Sequence, residues 1–239
     1  MLPHRAAHAS RMTSDPAHGV RSSSVTCHYK RAGAAAPIEV LERFRVLAGK
    51  RSAGRVLDVG AFRIPDLLEH RHVCYLALVA AAPEVRDAHP DLPMDVVDAD
   101  LTALPFPDHS FDVVVSRFCL CSTSDPQRAG HEFSRVLRPV GQLVFLEHTR
   151  APGVVGQAQD QAQEILRGAR RCRINIEVLA VLQRAGFVVR RADWYWPPTY
   201  VRAPLVQGVA THPEPQYERE LSWLRNPIRN TGEPLWPGR

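Results

Sequence analysis

In this 239-residue chain the residues best suited to chemistry stand at the ends of apolar runs. Val56-Leu57-Asp58-Val59-Gly60 is a β-branched run closing on Asp-x-Gly, the way a first α/β strand enters a nucleotide-binding turn. Such turns space two or three glycines, because the backbone must take positive φ and approach a ligand with no Cβ between them. Only Gly60 is kept; Phe62 and Arg63 stand where further glycines are expected. Arg117 closes a second apolar run and the ionisable pair Glu147-His148 a third. Cysteines occupy positions 27, 74, 119, 121 and 172 and form no paired framework. Cys119 and Cys121, one residue apart in a strand-like context, are expected to share a face as small core groups. No further ligands appear at zinc spacing, so no metal site is expected and the thiols read as reduced.

The elements that must position these groups alternate. Strands are expected at residues 55–59, 72–79, 94–97, 111–116, 142–148, 187–191 and near 205–211. The run 111–116 (FDVVVS) is apolar throughout, as in a parallel sheet buried on both faces. Helices are expected from Pro37 to near Gly49, at 66–70, from Asp125-Pro126 to Leu137, across 157–167, and across 175–185, where Gly186 ends the last. The pattern is α/β: one Rossmann-like, doubly wound, seven-stranded sheet whose ligands bind at the carboxyl ends of its strands. Residues 1–28 read as a disordered leader, 29–212 as the domain, and 213–239 as a Pro-rich tail.

Composition narrows the function classes. Hydrophobic residues make up 45% and charged residues 23%, as in an ordinary globular domain. The net charge of +5 comes from scattered arginines that solvated helix faces explain, so no nucleic-acid partner is expected. No window is long and apolar enough for a membrane span, and the start lacks the apolar run of a signal peptide. A cytoplasmic location is the expectation.

Several segments resemble the class I S-adenosylmethionine (SAM)-dependent methyltransferases, in particular the group of ubiquinone/menaquinone, phospholipid and thiol methyltransferases. The matching blocks are VLDVG at 56–60, DLTALPFPDHSFDVVVS at 100–116, FCLCS at 118–122 and EFSRVLRPVGQLVFLEH at 132–148. CRINIEVLAVLQRAGF at 172–187 and QGVA at 207–210 continue the likeness. It implies a methyltransferase-type sheet with SAM as cofactor. Asp58 and Gly60 match the motif that holds the methionine end of SAM. Asp100, with Leu101 beside it, matches the residue meeting the adenine amino group, and Arg117 follows the fourth strand where relatives touch cofactor or acceptor. Glu147 and His148 stand where relatives face the acceptor, as base or positioning group; in the alternative one caps the sheet end and the other satisfies a backbone donor.

The cofactor motif is degenerate. Two of its glycines are gone, no acid follows strand two at Ala80 for the ribose, and Val140 replaces the first glycine of the RPGG turn. A lost charge-assisted bond and a blocked backbone approach together remove roughly two to four powers of ten in affinity. Arg63 restores binding if its guanidinium takes the methionine carboxylate, for which its fork is suited; otherwise it points to solvent. The leading expectation is a methyltransferase-like protein for a small lipophilic or thiol acceptor. The alternatives are a SAM-independent enzyme on the same scaffold (a cyclase, hydrolase or eliminase of secondary metabolism) and a catalytically silent protein partner. Trp194, Tyr195 and Trp196 either roof an apolar acceptor site or pack at a strand end.

Overall fold

The structure is a computed structural model that describes residues 37–60, 72–79, 91–165, 172–196 and 204–214. The leader, Arg63, the helix expected at 66–70, Ala80 and nearly all of the expected tail lie outside the described residues.

Helix α1 (Ile38–Arg51) starts at Pro37, whose carbonyl accepts from the amides of Val40 and Leu41. It runs through Gly49 and buries Val40, Phe44 and Ala48. The strands are β1 (Ala53–Val59), β2 (His72–Val79), β3 (Met94–Val97), β4 (Phe111–Arg117), β5 (Leu137–His148), β6 (Val188–Tyr195) and β7 (Leu205–Thr211). They form one seven-stranded sheet in the order β3-β2-β1-β4-β5-β7-β6. The first five are parallel, and β7 inserts antiparallel between β5 and β6. The chain direction across the sheet therefore reverses between β1 and β4, and a crevice opens at such a switch point. Val56, Leu57, Val59, Val114 and Val115 are fully buried, which explains the continuous apolar runs of the central strands.

Helix α2 (Pro126–Val136) is capped by Asp125, whose carboxylate accepts from the Arg128 amide at 3.0 Å, with Pro126 in the first turn where no donor is needed. Helix α3 (Gly153–Ile165) and helix α4 (Val178–Arg184) follow. Helix α4 begins later than its apolar spacing implies, because residues 175 and 176 are held elsewhere. The Asn175 amide donates to Asp160 at 3.2 Å, and the Ile176 carbonyl accepts from Arg150 N and Thr149 Oγ1. Strand β6 runs past its expected end, so Trp194 and Tyr195 belong to it; Trp194 stacks on Trp196, with centroids 5.8 Å apart.

The blocks LPFPDHSFD and EFSRVLRPVG form a clasp at the amino end of β4. The Arg135 guanidinium donates to Glu132 Oε2 (2.7 Å), Asp108 Oδ1 (2.7 Å), the Phe106 carbonyl (2.8 Å) and the Leu104 carbonyl (3.0 Å). Glu132 in turn accepts the Leu104 amide at 2.8 Å. The hydrogen bonds from Arg135 hold the Glu132 carboxyl below its ordinary range. Val140 extends into solvent at 90% exposure, whereas a Cβ on Gly141 would lie 2.8 Å from the Asp112 carbonyl oxygen. The expected turn is instead an irregular start of β5, which depends on the second glycine; the missing first one costs nothing visible.

Candidate functional site

Beside the switch point, β1 carries Asp58 and then Gly60, and β4 ends on Arg117. Asp58 is fully buried and Arg117 is 3% exposed, and the guanidinium donates directly to the carboxylate. Burying two charges is tolerable only when they meet in this way. Arg117 also lies 5.8 Å from the Phe44 ring centroid, within reach of a cation–π contact. Gly60 has φ +86°, and a Cβ there would sit 2.4 Å from the Arg117 carbonyl oxygen. Close approach of the β1 and β4 ends therefore requires the glycine before any ligand is considered.

Asp100, beyond the carboxyl end of β3, is exposed, and its Oδ1 accepts from Thr102 N and Oγ1, both at 2.9 Å, in an Asx turn. Leu101 is 1% exposed and belongs to the core. Asp58, Gly60 and Arg117 thus converge. Asp100 stands on a separate turn, and Arg63 lies outside the described residues.

The second corner lies where β4 and β5 end. Phe118 takes φ +54°, an uncommon value for a residue with a Cβ, and turns the chain out of β4. Cys119 and Cys121 therefore lie in a turn, which corrects the expectation of a shared strand face. The Cys119 thiol donates to the carbonyls of Val59 (3.2 Å) and Arg117 (3.3 Å), while Cys121 faces His148. The turn aims three successive amides at Glu147: Cys119 N at 2.9 Å, Leu120 N at 3.2 Å and Cys121 N at 3.1 Å. Ser116 Oγ adds a fourth donor at 2.9 Å. Burial still pushes the Glu147 carboxyl above its ordinary value. Both Glu147 oxygens are thus engaged by protein donors, so the described geometry uses this residue to shape the turn.

His148, 8% exposed, lies with its ring 5.1 Å from that of Phe118. Its Nδ1 is 3.5 Å from Cys121 Sγ and 3.1 Å from Cys172 Sγ, and the two sulfurs are 3.1 Å apart. The hydrogen bond with Cys121, and then His148, bring the Cys172 thiol down to about 5, while burial pushes Cys121 up. Cys172 is held in place by its neighbours. Arg173 N donates to the Cys121 carbonyl at 2.6 Å, and the buried Gln159 amide donates to the carbonyls of Thr149 (3.1 Å) and Ile174 (2.6 Å). Sequence reasoning missed this cluster because its members are 27 and 24 residues apart, unlike any short ligand motif. The available signal was that all three fall in blocks flanking strand ends.

Residues 64–145 match the family described as "Methyltransferase domain". A ubiquinone/menaquinone biosynthesis C-methyltransferase from Hahella chejuensis is 43% identical over 68 residues, 28% of this chain and 27% of the relative. Demethylmenaquinone methyltransferase from Renibacterium salmoninarum is 45% identical over 58 residues, 24% of each chain. The chain thus spans about a quarter of the length of the curated relatives it matches. Among solved structures, the cyclase SpnF superposes with a TM-score of 0.60 at 20% identity, covering 76% of this chain and 85% of that one. A SAM-dependent methyltransferase from Mesorhizobium loti gives 0.52 at 19% identity, covering 71% and 95%. These structural likenesses show the fold, which is that of the class I methyltransferases. The matched segment, about a third of the chain, is similar to that methyltransferase family.

Proposed function

We propose that this chain is a SAM-dependent methyltransferase-like enzyme for a small lipophilic or thiol acceptor, with an eroded cofactor loop. The observation that carries the reading is the left-handed Gly60 turn at the switch point between β1 and β4, beside the buried Asp58, Arg117, Glu147 and His148. In this reading Gly60 and Asp100 contact SAM, Leu101 backs the adenine, and Arg63 takes the methionine carboxylate. SAM supplies an electrophilic methyl group. The protein's own task is to hold the acceptor in line and, for a thiol, to keep it deprotonated, with His148 on the acceptor side. Glu147 acts through the turn it shapes.

The buried Asp58–Arg117 pair favours a second reading. The first-motif carboxylate is already neutralised by protein, so less of it is left for a ligand, and a SAM-independent enzyme or a silent partner on this scaffold follows.

Calorimetry with SAM and S-adenosylhomocysteine decides between them. The methyltransferase reading expects saturable binding on the order of 100 μM or weaker, reduced about tenfold by Asp100→Ala. It also expects methyl transfer from labelled SAM to a thiol or quinol, slowed by His148→Gln without a change in SAM affinity. No heat and no transfer at millimolar SAM sinks it in favour of the second reading.

A further inference from the structure

The cluster of Cys121, His148 and Cys172 shares His148 with the acceptor side proposed above and adds two sulfurs to it. Two sulfurs and one imidazole nitrogen form a triangle with sides of 3.1, 3.1 and 3.5 Å, the single group among the described residues that could hold a metal ion in this way. We propose that these three residues bind one thiophilic divalent cation, zinc in the first instance, at the carboxyl-end corner of β4 and β5.

Ligand chemistry comes first. The set holds two thiolates and one imidazole and no carboxylate, a choice that favours zinc over magnesium or calcium. Without an ion both sulfurs contact the same Nδ1, whose single lone pair accepts one thiol proton, so the other thiol is left to the 3.1 Å contact between the two sulfurs. A cation resolves this crowding, because all three lone pairs then point at it.

Size agrees. With zinc–sulfur near 2.3 Å and zinc–nitrogen near 2.0–2.1 Å, tetrahedral ligands stand about 3.8 Å apart for two sulfurs and about 3.5 Å for sulfur and nitrogen. The Cys121–His148 side already meets that spacing. Cys172 must move outward by several tenths of an ångström, and it is the half-exposed member of the three.

Support around the ligands is already in place. Glu147 fixes the backbone of 119–121 through three amides, Phe118 backs the His148 ring, and Arg173 N ties the Cys172 segment to the Cys121 carbonyl. Outer groups of this kind set ligand orientation in metal sites. Charge balances as well. The ion takes both sulfurs as thiolates, and two thiolates, a neutral imidazole and a divalent ion sum to zero, with the Glu147 carboxylate one residue away. Three protein ligands leave a fourth position for water or an added thiolate. With the ion bound, His148 is a ligand and moves no proton; the inference stands or fails without any SAM binding.

The test is cobalt and zinc titration of the reduced full-length chain under argon, read by absorption and by a chromophoric chelator. The expected result is one equivalent of cobalt with a thiolate charge-transfer band and tetrahedral d–d bands, displaced by one equivalent of zinc. Cys172→Ser, at the half-exposed position, weakens binding at least about 100-fold while circular dichroism stays unchanged. Cys121→Ser and His148→Gln do the same. Cys74→Ser, on the exposed face of β2, leaves the spectrum as it was. The proposal is overturned if the reduced chain shows no thiolate band. It is equally overturned if Cys172→Ser keeps the band, or if the chain binds no metal and reoxidises to a Cys121–Cys172 disulfide.

Discussion

The two ends of β4 carry two polar networks built on opposite terms. At the amino end, Arg135 gathers Glu132, Asp108 and two carbonyls, positive against negative, with the guanidinium 31% exposed. At the carboxyl end, Glu147 is fully buried and held by three backbone amides and a serine hydroxyl. The first network joins a motif to the helix that follows it and can be loosened at modest cost. The second commits a charge to the interior and forces Phe118 into a left-handed turn, so it is sharper in geometry and far less forgiving.

The largest expected effect falls there. Glu147→Ala leaves the amides of Cys119, Leu120 and Cys121 without their acceptor and empties a buried site. The cost should be about 4 kcal/mol in urea unfolding. If the variant unfolds within about 1 kcal/mol of the wild type, water or a neighbour replaces the carboxylate, and the contrast between the two ends is wrong.

Arg135→Ala should cost about 2–3 kcal/mol, because it removes five hydrogen bonds from a partly solvated place. The effect should leave the Cys121–His148–Cys172 corner intact, so thiol reactivity in the folded state should not change. A thiol made newly reactive would mean that the two ends of β4 communicate.

Acid titration sharpens the comparison further. Glu132 has its folded pKa lowered by Arg135, so it adds stability above its unfolded value of about 4.3 and loses it as pH falls through the folded value. Glu132→Gln should therefore cost about 1 kcal/mol at pH 7, with the gap closing below pH ~4. A gap that persists unchanged at pH ~3 would show that Glu132 acts by shape and not by charge.

The same contrast explains what could be read in the sequence. The clasp lies within residues 104–141, so its residues carry a fixed spacing, and the seven-stranded α/β sheet was expected from them and from the apolar runs of β1, β4 and β5, while the strand order came only with the structure. The bounds of β2, β3 and β7 were legible to the residue, because each is an apolar run between breakers. The corner was not legible as a unit. Glu147 and His148 were read either as a pair facing one acceptor or as a sheet-end cap and a partner for a backbone donor, and neighbours on a strand point to opposite sides. Glu147 therefore serves the turn, and His148 meets Cys121 and Cys172. The partner Cys172 is set by irregular backbone after α3, held by Gln159 and Arg173, and no periodicity announces such a segment. Gly60 was read as making room for a ligand; the Arg117 carbonyl is a sufficient cause within the protein.

Departures from the family pattern should also differ in consequence between the two ends, and Val140 offers the smallest and cleanest case. The glycine that the resemblance implies is missing from the irregular start of β5, yet Val140 is 90% exposed and its φ is not left-handed. Putting glycine back relieves no clash and widens the unfolded ensemble, so Val140→Gly should lower stability by about 0.5 kcal/mol. Its neighbour behaves otherwise: a Cβ at Gly141 would press on the Asp112 carbonyl oxygen and on Leu137, both at 2.8 Å, so Gly141→Ala should cost several times more. Urea midpoints for the two variants measured side by side decide the matter. If Val140→Gly raises the midpoint, the irregular start of β5 is strained as it stands, and the amino end of β4 is less settled than its hydrogen bonds imply.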